Sequence, residues 1–199
     1  MQLYAITDRK GATLPILSLV EEWSTCGVDF IQLREKDLSA AALQSLTRDA
    51  AAKIDRRRSK LLVNVSTSES APDSVALALG AGADGVHLAG TPLPGAASRV
   101  RKAFRSANPI ISVPCHSLRD IEVACAEQVD LILFSPVFEK EKAKTQGLEG
   151  LRLACVAARG IPVLALGGVT AANALQCVAA GAAGIAGIRL FAGDDWKSL

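Results

Sequence analysis

The chain has 199 residues, long enough for one large α/β domain around a single core. Half of the residues are hydrophobic and only 4% are aromatic, so the core must be built from Ala, Val, Leu and Ile. The net charge of +2, without a basic and aromatic-rich patch, argues against nucleic acid as a partner. No apolar run reaches the roughly 18 residues of a membrane span, and the first residues do not resemble a signal peptide.

Short apolar runs alternate with amphipathic segments from one end of the chain to the other. The predicted strands are 3–6, 29–33, 61–64, 84–88, 109–113, 130–134, 162–166 and 184–188. The predicted helices are 14–25, 39–55, 72–80, 95–105, 118–127, 148–158 and 171–180, with Ser39, Ser117 and Thr170 as candidate N-caps. This alternation predicts a parallel sheet with right-handed crossovers.

An internal repeat favours a closed barrel over an open sheet. Four segments share one shape, a helix end followed by a strand: CGVDFIQLR, AGADGVHLA, EQVDLILFS and AGAAGIAGI. The first strand is followed by ITDRKG, which lacks the GxGxxG turn of open dinucleotide-binding sheets. We therefore predict one small (βα)8 TIM barrel over residues 1–199, with a short or truncated last helix after Phe191.

The second strand carries charges into the predicted barrel mouth, where active sites of such barrels lie. Gln32 and Arg34 share strand parity and should point into the barrel, and Lys36 follows them. An Arg at this place needs an anionic partner. That partner is either Glu35 or Asp8 of the chain itself, or a phosphorylated or carboxylated substrate.

The two histidines lie in or just after predicted strands, and Asn64 ends the third strand. His87 lies within a strand and fits either an interior residue or a site residue. His116 follows the fifth strand and fits either an acid–base role at the mouth or a structural role at the start of the next helix. Ser117 comes directly after it.

Two loops complete the predicted mouth. Gly167 and Gly168 precede a helix predicted to start after Thr170, an arrangement that favours either phosphate binding or a tight turn only. The charged segment 139–147, which contains Lys142 and Lys144, fits either a lid over the mouth or a solvated loop. Five scattered cysteines without a CxxC pair predict reduced thiols in a cytoplasmic protein.

Motifs in order along nearly the whole chain resemble the thiamine phosphate synthase/TenI family. They are YAITD, GVDFIQLREKD, LLVN, GADGVHL, CHSLRD, DLILFSPVFEK, GLEGL, IPVLALGGVT and AGAAGIAGI. The resemblance implies a (βα)8 barrel that acts on thiamine precursors and binds a thiazole phosphate near the seventh and eighth strands. It places Gly167, Gly168, Ile188 and Arg189 at that phosphate.

The family holds two activities, and the sequence is mixed between them. A synthase joins a pyrimidine diphosphate to thiazole phosphate and uses Mg²⁺ held by two acids, but Val65 and Pro92 stand at those two positions. Its diphosphate loop is replaced by EKEKAK, and Arg189 stands where the synthase has Ser. QLREK, with Gln32 and Lys36, is closer to the synthase pattern.

The resemblance therefore favours a TenI-like thiazole phosphate tautomerase with no cofactor. His116 would be its base, and Arg34 would meet the substrate carboxylate. A synthase with an atypical metal site, needing Mg²⁺, is the alternative, and a non-catalytic protein that binds thiazole phosphate is a third. Small molecules are the expected partners, without nucleic acid or membrane, and a homo-oligomer is compatible with the sequence.

Overall fold

A closed barrel of eight parallel strands forms the centre of the molecule. The computed structural model describes residues 1–66, 71–91, 93–138 and 145–199. Each strand pairs with its neighbours in chain order, and the first strand pairs with the eighth. The predicted (βα)8 architecture is confirmed. In the described part of the chain, no helix is long and apolar enough to cross a membrane.

The elements alternate as the sequence predicted. The strands are β1 (Gln2–Ile6), β2 (Phe30–Leu33), β3 (Lys60–Ser66), β4 (Gly85–Ala89), β5 (Ile110–Cys115), β6 (Leu131–Phe134), β7 (Val163–Ala165) and β8 (Gly184–Gly187). The helices are α1 (Ile16–Thr25), α2 (Ala40–Lys53), α3 (Ala71–Gly80), α4 (Ala96–Ala103), α5 (Leu118–Ala126), α6 (Gly147–Ala157) and α7 (Ala174–Ala179).

Strand alternation divides the core into two layers. Side chains of one parity fill the barrel, among them Tyr4, Ile6, Leu62, Leu133 and Leu164. Side chains of the other parity, such as Ile31 and Leu33, are fully buried between the barrel and the helices. The inward parity predicted for Gln32 and Arg34 follows from this division.

Two of the three predicted N-caps are confirmed, and the third is wrong. Ser39 caps α2 and Ser117 caps α5, each through its side-chain oxygen. The helix expected to follow Thr170 begins instead at Ala174. Residues 170–173 form a turn, in which the Thr170 carbonyl oxygen accepts from the Asn173 N–H at 3.3 Å and Asn173 Oδ1 accepts from the Thr170 N–H at 2.8 Å.

The segment after β8 confirms the expected short last helix. Two 3₁₀ helices, Arg189–Phe191 and Asp195–Ser198, take the place of an eighth α-helix. The Trp23 indole N–H donates to the Phe191 carbonyl oxygen at 3.3 Å, and the Phe191 and Trp196 rings lie 5.3 Å apart. These aromatic contacts pack the segment against α1.

Candidate active site at the carboxyl ends of the strands

A continuous polar network crosses the barrel interior below its mouth. The Tyr4 hydroxyl donates to Gln32 Oε1 at 3.1 Å, and Gln32 Nε2 donates to Asn64 Oδ1 at 3.2 Å. In the other direction, Tyr4 Oη lies 3.2 Å from Ser112 Oγ, which lies 2.8 Å from His87 Nδ1. Five neighbouring strands, β1 to β5, each contribute one member. The inward orientation predicted for Gln32 is therefore confirmed, and Asn64 lies beside it.

His87 is a buried member of this network, with 6% of its surface exposed. Burial and, to a smaller extent, the positive charge of Arg34 together lower the pKa of its imidazole from 6.5 to about 3. The ring is consequently neutral at pH 7. The structure thus places His87 in the barrel interior, beside the other polar residues of the network.

Arg34 and Lys36 stand at the mouth without an acidic partner in the described part of the chain. Glu35 is not that partner, because its carboxylate accepts hydrogen bonds from Thr7 Oγ1 at 2.6 Å and the Arg9 backbone N–H at 3.2 Å. Its Oε2 also lies 3.6 Å from Arg9 Nε. Thr7 Oγ1 accepts from the Arg34 backbone N–H at 3.0 Å. The two cations therefore keep their charge available for an anionic ligand.

His116 lies exposed at the mouth, after β5. Its Nδ1 lies 2.8 Å from the Ser135 carbonyl oxygen, which can only accept, so Nδ1 carries the proton and Nε2 keeps a lone pair. Asp120 Oδ2 accepts from the His116 backbone N–H, and the Gln146 side chain donates to the His116 carbonyl oxygen. The ring is held in place with Nε2 able to accept a proton, while Ser117 serves as the helix cap.

A cavity of about 750 Å³ opens beside the ends of β7 and β8. It is lined by the residues predicted to contact a phosphate, Gly167, Gly168, Ile188 and Arg189, and also by Asp8. Among the described residues, none accepts a hydrogen bond from the backbone N–H of Gly167 or Gly168. Free N–H groups and an exposed Arg189 are suited to an anion. The helix start proposed to help them is absent at Thr170, since α7 begins at Ala174.

The conformation of the two glycines has a structural cause of its own. Gly167 has φ +91° and Gly168 has φ +67°, in the left-handed region. A Cβ on Gly167 would lie 2.8 Å from Pro136 Cα, and one on Gly168 would lie 2.7 Å from Phe138 Cβ. The tight turn therefore explains why glycine stands there, and the cavity with its free N–H groups is what points to a ligand.

The described residues do not fit a Mg²⁺ ion held by acids at the two positions the synthase pattern uses. Val65, directly after Asn64, is 4% exposed and packs in the apolar layer between barrel and helices. Pro92, at the second position, lies outside the described residues. Within the described ranges, no group of three His, Cys, Asp or Glu side chains could hold a metal ion.

Some predicted features fall outside the described residues, and some observed ones were not predicted. Lys142 and Lys144, with the lid expected of their segment, belong to residues 139–144, which the structure does not describe. Tyr4, Ser112 and Ser135 were missed as site residues. Strand parity could have signalled Tyr4 and Ser112, because each is a polar residue on the inward face of its strand.

Comparison with known proteins agrees with this fold and identifies the family. The family model described as thiamine monophosphate synthase matches residues 3–191. A Geobacter sulfurreducens protein named "Putative thiamine-phosphate synthase" is 39% identical over 96% of this chain and 87% of its own. The thiamine-phosphate synthase of Methanoculleus marisnigri is 34% identical over 96% of this chain and 88% of its own.

A solved structure extends the likeness to three dimensions. The thiamine phosphate pyrophosphorylase from Pyrococcus furiosus superposes with a TM-score of 0.80 at 26% identity, covering 99% of this chain and 90% of that one. Fold and site together define a (βα)8 barrel of thiamine biosynthesis. The chain belongs to the thiamine monophosphate synthase family. None of these names refers to a tautomerase.

Proposed function

We propose that this chain is a thiamine-phosphate synthase, which joins a pyrimidine diphosphate to a thiazole phosphate and releases pyrophosphate. The observation that carries the proposal is the name shared by relatives that align with 96% of this chain. This reverses the preference for a tautomerase drawn from the missing metal acids. The substrates are small molecules, and a cytoplasmic location remains a prediction from the sequence.

The charge at the mouth suits the leaving group of this reaction. The bond between the pyrimidine methylene carbon and the diphosphate oxygen breaks, and the thiazole nitrogen forms a new bond to that carbon. Negative charge grows on the departing pyrophosphate, where fixed cations stabilise the transition state. Arg34 and Lys36 lack acidic partners in the described chain, and we assign them this role. No step is assigned to a metal ion.

The cavity beside β7 and β8 is the proposed place of the thiazole phosphate. Its phosphate would accept hydrogen bonds from the Gly167 and Gly168 N–H groups, with Arg189 balancing charge. Gln32 and Asn64, on the inner face of the barrel, would orient an uncharged ring next to it. Holding both substrates in one mouth turns their reaction into a step within a single complex.

A thiazole phosphate tautomerase is the second candidate, favoured by two specific observations. In the neutral ring of His116, the contact of Nδ1 with the Ser135 carbonyl oxygen puts the proton on Nδ1 and leaves Nε2 as the acceptor that a general base needs. Val65 leaves no carboxylate after Asn64 for a metal-dependent reaction. Proton transfer on a thiazole carboxylate phosphate would need only this base and the anion sites.

One experiment separates the candidates. The purified protein is incubated with pyrimidine diphosphate and thiazole phosphate, with Mg²⁺ or with EDTA, and thiamine phosphate is measured after oxidation to its fluorescent product. The dihydrothiazole carboxylate phosphate is tested in parallel for aromatisation. We expect thiamine phosphate to form and aromatisation to stay at the uncatalysed rate. Aromatisation that is lost in His116→Ala, without thiamine phosphate, would establish the tautomerase instead. Tight binding without turnover would identify a non-catalytic protein.

A further inference from the structure

We propose that Tyr4 and Ser112 are positioning residues that set the direction of hydrogen bonding below the barrel mouth. Their hydroxyls hold His87 as its Nδ1–H tautomer and fix the orientation of the Gln32 amide. The proposal rests on the proposed function in one respect, namely that substrate rings enter above this network. The network itself belongs to the free protein.

The direction of hydrogen bonding in the network follows from the number of protons that each side chain can donate. The Tyr4 hydroxyl has one proton, and it donates to Gln32 Oε1 at 3.1 Å, an atom that can only accept. Tyr4 Oη must therefore accept from Ser112 Oγ at 3.2 Å, which uses the single proton of Ser112. Ser112 Oγ can then only accept from His87 Nδ1 at 2.8 Å. The proton of the neutral imidazole is thereby placed on Nδ1.

The same count leaves two unused groups. His87 Nε2 keeps a lone pair, so it is an acceptor. Asn64 Oδ1 already accepts from Gln32 Nε2, so Asn64 Nδ2 is a donor, and no described residue accepts from it. Together they offer one acceptor and one donor to an uncharged heteroaromatic ring. A ring that matches this pattern binds better than one that leaves either group unpaired.

The opposite direction of hydrogen bonding also gives every donor an acceptor, but it presents different groups to a ligand. It requires both amides, Gln32 and Asn64, to turn over, Tyr4 to donate to Ser112, and Ser112 to donate to His87 Nδ1. His87 would then carry its proton on Nε2, and Asn64 would present its oxygen to the ligand. The donor and acceptor would exchange places. The tautomer of His87 therefore reports the direction of the whole network.

The tautomer can be measured on the intact protein by long-range ¹H–¹⁵N correlation of the imidazole rings at pH 7. The chain has two histidines, so His116→Gln assigns both sets of signals. We expect the Nδ1–H tautomer for His87 in the wild type. In Tyr4→Phe, the Ser112 proton loses its acceptor and turns to His87 Nδ1, so the dominant tautomer becomes Nε2–H.

Phe30→Leu is the matched control, because the Phe30 ring packs 5.7 Å from the Tyr4 ring without joining the network. It should keep the Nδ1–H signal. If Tyr4→Phe does not fold, Ser112→Ala removes the acceptor of the Nδ1 proton and should also reduce the Nδ1–H population. An Nε2–H tautomer in the wild type, or an unchanged one in these variants, overturns the proposal. The result holds whether or not thiamine phosphate is formed, so the two proposals can fail separately.

Discussion

Replacing Gly167 with alanine tests how the glycine turn is held and what it does. Gly167 has φ +91° and packs against Pro136, whereas Gly27, between α1 and β2, has φ +89° with no atom within 4 Å of a built Cβ. The two positions share the same backbone conformation and differ in their surroundings. Comparison of the two alanine variants separates backbone strain from the contact.

The magnitudes follow from the distances. The left-handed conformation costs a residue with a Cβ about 1–2 kcal/mol, and this cost applies to both variants. At Gly167 the new methyl would lie 2.8 Å from Pro136 Cα and 2.9 Å from Pro136 Cβ. Backbone cannot rotate away, so overpacking adds about 1–3 kcal/mol. Gly167→Ala should lose about 2–5 kcal/mol of unfolding free energy, and Gly27→Ala about 1–2 kcal/mol.

Urea unfolding measures the stabilities, and titration with thiazole phosphate measures the function of the turn. Displacement of the turn should weaken binding about tenfold, which corresponds to 1.4 kcal/mol, and Gly27→Ala should bind like the wild type. Equal losses of stability in the two variants would refute the packing argument. Unchanged binding in a folded Gly167→Ala protein would refute the placement of the phosphate.

Three further changes have defined outcomes. Glu35→Ala leaves buried donors without an acceptor and should lose about 1–3 kcal/mol in urea unfolding, whereas the exposed Glu149→Ala should lose under about 0.5 kcal/mol. Lys36→Ala should weaken pyrophosphate binding, measured by calorimetry, by up to about fivefold, whereas the control Lys102→Ala should bind pyrophosphate like the wild type. Wild-type affinity in Lys36→Ala would show that this lysine is not part of the site. Between pH 6.5 and about 3 the unfolded chain binds a proton at His87 that the folded protein does not. The unfolding free energy should therefore fall as the pH drops, by up to about 1.4 kcal/mol per pH unit, and His87→Asn should flatten this slope. An unchanged slope in His87→Asn would contradict a buried, neutral His87 ring.

The barrel was predictable because its signals are local and repeated. Apolar runs such as those at 61–64 and 130–134 alternate with helical segments, and strand parity alone placed Gln32 inside the barrel. The start of α7 was not predictable in the same way. Thr170 is a good N-cap by type, but residues 170–173 form a turn with hydrogen bonds between Thr170 and Asn173, and the helix begins only at Ala174.

The site was less predictable than the fold because its partners are far apart in sequence. The Tyr4 and Ser112 hydroxyls meet at 3.2 Å although 108 residues separate them. Glu35 is adjacent to Arg34 in sequence, yet its carboxylate turns to Thr7 and Arg9. Such pairings depend on how strands β1, β2 and β5 lie around the barrel, which no single segment specifies.

Product analysis of a single turnover tests the proposed function most directly. Excess protein is mixed with equal amounts of pyrimidine diphosphate and thiazole phosphate, and thiamine phosphate and pyrophosphate are quantified together. A synthase releases one pyrophosphate for each thiamine phosphate formed, and we expect that equality. Consumption of neither substrate, with the thiazole phosphate still bound at β7 and β8, would contradict the account.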